Sequence, residues 1–266
     1  MMDSPNHNDG SAVIEFRYVS YRAVSGQVIL SNINLAIRGG EVMVLLGRSG
    51  AGKTSAMKLI NRLQRESAGE VSVEGRCTRE WDVIKLRRRI GYAVQEIGLF
   101  PHYTVERNVG LIPSLENWPS DKIDRRIDEM LRLVDLDPQE FRTRFPHQLS
   151  GGQRQRVAVA RALAGDPPIL LMDEPFGALD PVSRSELQIQ FKHLQQKLRK
   201  TVVLVTHDLG EALMLGTRIA LFDAGRLVGV FSGEEILVSA NPAVASYVAA
   251  FTTGHEAFAA HMKKRI

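Results

Sequence analysis

The chain has 266 residues, with 34 Lys plus Arg against 30 Asp plus Glu and a formal net charge of +4. Hydrophobic residues at 44% and charged residues at 24% are ordinary globular proportions, which exclude a chain disordered throughout. Acidic residues interleave with basic ones, so the small excess does not argue for nucleic acid, and no apolar run approaches the ~18 residues of a membrane span.

Residues 1–11 are polar, open without the basic and apolar regions of a secretory signal, and read as a flexible tail. From Ala12, AVIEFRYVS and QVILSNINLAI alternate apolar and polar side chains, as half-buried strands do. After Gly39-Gly40 the run Val42 to Leu46 is wholly apolar, which suits a strand buried on both faces. A glycine-rich loop follows, then a helical pattern to about Gln64 with Ala56, Ile60 and Leu63 on one face. VSVEG and RIGYAV read as further strands, with Cys77 in a loop after the first. As the only cysteine it cannot close an internal disulfide, and a cytosolic chain is expected.

From about Thr104 to Ala164 the pattern is helical, with Ile123, Ile127, Met130, Leu131 and Val134 as one apolar stripe. The strands ILLM, TVVLV and RIALF then alternate with helices. The first of those helices starts at Asp180-Pro181, a cap followed by proline, and its stripe is Leu187, Phe191, Leu194 and Leu198. Asp223-Ala224-Gly225 turns the chain into RLVGVF as an antiparallel hairpin. The order indicates an α/β fold: a mainly parallel sheet with helices on both sides, an antiparallel β part at the N-terminus and an inserted helical subdomain.

Three motifs carry chemistry. Gly47-Arg48-Ser49-Gly50-Ala51-Gly52-Lys53-Thr54 matches G-x-x-x-x-G-K-[ST] between a buried strand and a helix. Its glycines let backbone N–H groups curl around phosphate oxygens, Lys53 reaches the β- and γ-phosphates, and the Thr54 hydroxyl can coordinate Mg²⁺. Chance gives the pattern in about one chain in a hundred of this length. Ile169 to Glu174 is an apolar strand ending in two carboxylates at the sheet's carboxyl edge. There Asp173 would hold Mg²⁺ through water and Glu174 would accept a proton from the attacking water. Leu149-Ser150-Gly151-Gly152-Gln153 opens a helix that Ser150 can cap, with two glycines exposing its first N–H groups to an anion.

With LSGGQ upstream of ILLMDEP, the chain resembles the nucleotide-binding ATPase of an ATP-binding cassette (ABC) transporter, from about Ala12 to Phe231. The resemblance implies a P-loop, RecA-like mixed-sheet core, with ATP as substrate and Mg²⁺ as cofactor. It implies that Gln95 is the Q-loop glutamine, touching Mg²⁺ and sensing the γ-phosphate. It also makes Ala178-Leu179-Asp180 the D-loop and His207 the switch histidine, so that Lys53, Glu174 and His207 form the catalytic set. From the residues alone, a Gln after a strand, like Gln95, is usually a surface residue and a His at a strand end, like His207, usually structural, although His207 follows TVVLV at the carboxyl edge. Two copies would pack head to tail, Leu149, Ser150, Gly151, Gly152 and Gln153 of one closing on the ATP of the other. The family's adenine-stacking aromatic falls near Ala23 or Val24 here; Tyr21 is the nearest substitute, and equally an ordinary strand tyrosine.

The strings VQEIGLFPHYTVERNV, VDLDPQEFRTRFPHQLSGGQRQRV and DEPFGALDPVSR are similar to ATPases of osmoprotectant importers, which move glycine betaine, choline and related quaternary amines. That implies a peripheral subunit on the cytoplasmic face of the cell membrane, serving transmembrane permease subunits and a substrate-binding protein. Residues 96–109 would receive the membrane subunit. The expected layout is a tail at 1–11, a nucleotide-binding domain at 12–235 with its helical subdomain at about 97–164, and a helical extension at 236–266. That extension is too short for the CBS domains many members of the group carry. An ATPase for export or lipid handling, or a soluble ABC ATPase acting on nucleic acid or ribosomes, are the alternatives. One phosphate loop, one cysteine and no heptad insertion weigh against the last, and no direct nucleic-acid contact is expected.

Overall fold

The computed structural model describes residues 12–94, 98–177 and 179–263, the last eleven by backbone alone. Strands β1 (Ala12–Arg22) and β2 (Val28–Arg38) pair antiparallel. β3 (Val42–Leu46) runs into the glycine-rich loop and helix α1 (Lys53–Ile60). β4 (Ala68–Val73) and β5 (Arg76–Cys77) complete a four-stranded sheet in the order β2-β1-β4-β5. Cys77 is thus in a short strand rather than the expected loop, because Gly75, at φ 74°, closes a tight hairpin.

α1 ends four residues before the expected Gln64. Arg62 adopts a left-handed φ of 53° and Leu63 is half-exposed, so this leucine extends the sequence pattern without extending the helix.

After α2 (Val83–Arg88) and β6 (Ile90–Ala93) comes the helical stretch: α3 (Val105–Val109), α4 (Leu111–Leu115), α5 (Ser120–Leu133), α6 (Pro138–Phe141) and α7 (Gly151–Ala164). The stripe on α5 is buried as expected at Ile127, Met130 and Leu131, while Ile123 is partly buried. Then follow β7 (Ile169–Asp173), α8 (Pro181–Leu198), β8 (Thr201–Thr206), α9 (Leu209–Leu215) and β9 (Arg218–Asp223). β10 (Arg226–Phe231), α10 (Gly233–Leu237) and α11 (Pro242–Lys263) end the described chain.

The central sheet has the order β10-β9-β3-β8-β7-β6, with only the β9/β10 pair antiparallel. Every residue of β3, β7 and β8 is buried, so both faces must be covered. Alternation divides their side chains between two cores. Val42, Val44, Leu170, Met172, Val202 and Leu204 face the core shared with α3 and with α5 to α11. Met43, Leu45, Ile169, Leu171, Val203 and Val205 face α1 and the antiparallel sheet. The register sets Leu46 beside Thr206 and Asp173 beside Val205, which brings three strand ends to one level.

Candidate functional site

The loop after β3 turns tightly because two of its glycines have no space for a side chain. A Cβ on Gly47 would stand 2.2 Å from the Phe222 carbonyl oxygen, and one on Gly52 2.6 Å from Leu30 Cδ2. Gly52, at φ 95°, is the N-cap of α1 and supplies no side-chain cap; no acidic residue occupies the first turn. The first amides of α1 and its dipole are therefore available to an anion. Arg48, Ser49 and Gly50 are exposed, whereas Ala51 is buried against the second core.

Lys53 is buried, and its Nζ donates to the carbonyl oxygens of Gly47 at 2.7 Å and Arg48 at 2.9 Å. Burial pulls its pKa below the ordinary lysine value, against the opposing pull of Glu174 and Asp173. Thr54 Oγ1 donates to Asp173 Oδ1 at 2.9 Å. Burial raises the Asp173 pKa, and the Thr54 bond with Lys58 and Lys53 opposes the rise. On the neighbouring strand β6, the Tyr92 phenol is pushed up to about 12 by burial and then by Asp173. Sequence reasoning took Tyr92 only as part of a strand; one hydroxyl in an otherwise apolar run was the available signal.

Glu174 has a φ of 44°, an uncommon conformation for a glutamate. Its N–H donates to the Val205 carbonyl at 3.0 Å, and its carbonyl accepts from the Gly177 N–H at 3.2 Å. This turn brings Glu174 Oε1 to 3.3 Å from His207 Nδ1, with the imidazole side chain 57% exposed and the carboxylate side chain 19% exposed. The sequence-derived set Lys53, Thr54, Asp173, Glu174 and His207 therefore gathers at the carboxyl edge of adjacent strands.

Other predicted residues make their hydrogen bonds locally. Ser150 is the N-cap of α7: Gln153 N–H donates to Ser150 Oγ at 3.2 Å, and Ser150 N–H donates to Gln153 Oε1 at 2.9 Å. Leu149 is buried in the first core and anchors this segment, while Ser150 is exposed. A Cβ on Gly151 or Gly152 would meet nothing closer than 3.8 Å, so their surface is open. Asp180 caps α8 as expected, accepting from the N–H groups of Val182 at 3.1 Å and Ser183 at 3.0 Å; its bonds with Ser183 hold its pKa low. Tyr21 is paired with Leu30 on β1–β2, and its half-buried ring packs against the second core. Gln95 and Ala178 lie outside the described residues.

Among the described residues, no group of three or more His, Cys, Asp or Glu could hold a metal ion. Thr54 and Asp173 offer instead a hydroxyl and a carboxylate, hard oxygen donors beside a phosphate loop. That set fits Mg²⁺, which keeps waters and phosphate oxygens in its coordination shell.

Residues 30–177 match the family model described as ABC transporter. The chain belongs to the ABC transporter family. The cassette is 48% identical over 231 residues to the glycine betaine/carnitine/choline transport ATP-binding protein OpuCA of Bacillus subtilis, covering 87% of this chain and 60% of the relative. The chain thus spans about three fifths of that protein's length. It is 49% identical over 216 residues to the glycine betaine uptake system ATP-binding protein YehX of Escherichia coli, covering 81% and 70% of the two chains. The dimeric, ADP- and phosphate-bound structure of the ATP-binding cassette MJ0796 superposes with a TM-score of 0.74 at 34% identity, covering 82% and 98%.

Proposed function

We propose that this chain is the ATP-binding and ATP-hydrolysing subunit of an importer for a quaternary-amine osmoprotectant such as glycine betaine or choline. The meeting of Thr54, Asp173, Glu174 and His207 at one sheet edge carries the hydrolytic part. The cargo rests on the names of relatives such as OpuCA and YehX.

In this reading the loop 47–54 and the first amides of α1 bind the phosphates. Lys53 exchanges the Gly47 and Arg48 carbonyls for phosphate oxygens. Thr54, Gln95 and, through water, Asp173 would hold Mg²⁺, which when bound would neutralise phosphate charge. Glu174 accepts a proton from water as its oxygen adds to the γ-phosphorus and the bond to ADP breaks; His207 stabilises the charge on the transferring group. Ser150 to Gln153 close on the ATP of a second copy, a reading supported by the dimeric MJ0796 cassette.

No helix among the described residues is long and apolar enough to cross a membrane. The transport path in this reading belongs to separate permease subunits, served by a substrate-binding protein, with the chain peripheral on the cytoplasmic face. A groove of about 370 Å³, lined by Arg87, Arg88, Tyr92, Phe100 and Leu111 among others, offers the permease a docking place. Residues 12–235 would form the nucleotide-binding domain, with the helical part at about 97–164, and 236–266 an extension.

The test is uptake of radiolabelled glycine betaine and choline by proteoliposomes holding the chain with the membrane subunits that co-purify with it, supplied with their substrate-binding protein. Uptake on ATP supply, abolished by Glu174→Gln, is the expected result. ATP turnover without uptake of either amine would overturn the cargo assignment and leave the ATPase assignment standing.

A further inference from the structure

His207 reaches Glu174 from a peptide group held at both ends. The His207 carbonyl oxygen accepts a hydrogen bond from the Tyr247 hydroxyl at 2.7 Å. At the other end of the same peptide unit, the Asp208 N–H donates to Thr206 Oγ1 at 3.0 Å. The Thr206 hydroxyl in turn donates to Glu211 Oε2 at 2.6 Å, and Glu211 Oε1 accepts from Gln188 Nε2 at 2.9 Å. Thr206, Glu211 and Gln188 are buried, so this lower support is firm. A peptide unit is planar, and fixing its two polar ends fixes the rotations about its flanking bonds. Those rotations set the backbone from which the His207 imidazole projects.

The lower support comes from β8, α8 and α9; the upper one comes from α11. That helix starts firmly, with Ala243 N–H donating to Asn241 Oδ1 at 3.0 Å. Val244 is fully buried, and Tyr247, Val248 and Phe251 pack against the first core from the same helix face. Phe251 lies over Gly210, where a Cβ would come within 3.4 Å of its ring. α11 therefore crosses the first turn of α9, immediately after the histidine. Arg48 of the phosphate loop and Asp208 both lie within electrostatic reach of the Tyr247 hydroxyl.

We propose that Tyr247 is a positioning residue for ATP hydrolysis, locking the His207–Asp208 peptide from α11 and so holding the imidazole beside Glu174. The proposal rests on the reading of His207 as part of the hydrolytic site. Displacement of α11 from α9 then lowers turnover without any change in the groups that bind the phosphates.

Tyr247→Phe keeps the ring and its packing and removes only the hydroxyl. Turnover is expected to fall about three- to tenfold, the loss that one net hydrogen bond represents. KM for ATP is expected to stay within about twofold, because uniform binding is untouched. In protein labelled with 15N-histidine, the His207 ring signals, assigned with His207→Gln, should shift while those of the other six histidines stay in place. An unchanged kcat, an unshifted His207 signal, or a kcat loss matched by an equal rise in KM overturns the proposal. His207→Ala separates the two readings. If it leaves turnover intact, the hydrolytic role of His207 fails; if it abolishes turnover while Tyr247→Phe changes nothing, only the role of Tyr247 fails.

Discussion

Thr54 Oγ1 donates to Asp173 Oδ1 at 2.9 Å, joining residues 119 positions apart in the chain. The hydroxyl comes from the first turn of α1 and the carboxylate from the last residue of β7. Two motifs that are separate in sequence thus share one hydrogen bond, between the two side chains proposed to hold Mg²⁺.

Thr54→Val keeps the bulk of the side chain and removes the oxygen. ATP binding in chelator is expected to persist, while turnover at saturating ATP falls about 10–100-fold and needs more Mg²⁺ for half-maximal rate. Titrating Mg²⁺ against ATPase rate checks this. A wild-type Mg²⁺ dependence would remove Thr54 from the metal site.

The Asp173 pKa is raised by burial, so the nucleotide-free folded state binds its proton more tightly than the unfolded chain does. Stability from this group is therefore fully present below the ordinary aspartate pKa and is lost as pH rises through the elevated folded value. Asp173→Asn is expected to melt higher than wild type without nucleotide at pH values above the elevated folded pKa, where wild type bears the cost of the buried charge. The gap should narrow as the pH falls towards the ordinary aspartate value. Thermal melts across that range check the sign, and a gap that widens on acidification would contradict it.

Lys53 follows the same logic from the cationic side. It is buried, its pKa is lowered by desolvation, and its Nζ is held by two loop carbonyls. Lys53→Met removes a buried charge, so the melting temperature without nucleotide should hold or rise. Affinity for a fluorescent ATP analogue should drop at least about tenfold, the effect of losing one charge-assisted hydrogen bond. Equal affinity in the variant would mean that Lys53 never leaves the Gly47 and Arg48 carbonyls.

Much of this site was legible because parallel strands buried on both faces are continuous apolar runs. Val42 to Leu46, Ile169 to Asp173 and Thr201 to Thr206 announce their own ends, and chemistry sits just beyond each. The misses have local causes. β5 is two residues long, too short for any period, and Leu63 carries the α1 pattern past a left-handed Arg62. The link from Tyr247 to His207 spans 40 positions and joins a hydroxyl to a backbone carbonyl, a pairing with no sequence period. Within LSGGQ, Leu149 is buried in the first core while Ser150 is exposed, a division that the motif string itself does not mark.

Ser150 has a structural duty that is separable from any role towards a second copy. Ser150→Ala removes the cap of α7 and should cost about 1 kcal/mol of stability, whereas Ser150→Asp keeps the cap. Both should weaken ATP-driven dimerisation, Asp through repulsion of phosphate. Chemical denaturation and sedimentation separate the two effects. Undiminished dimerisation by Ser150→Asp would show that the segment faces no phosphate.

The most direct measurement is ATP turnover by purified Glu174→Gln, followed by sedimentation of the same sample in ATP. Turnover is expected to fall about 10²–10⁴-fold, the usual contribution of a positioned general base. ATP binding should persist and a dimer should accumulate that wild type does not retain. Turnover within a few fold of wild type would contradict the account, because the carboxylate beside His207 would then not be the group that accepts the water proton.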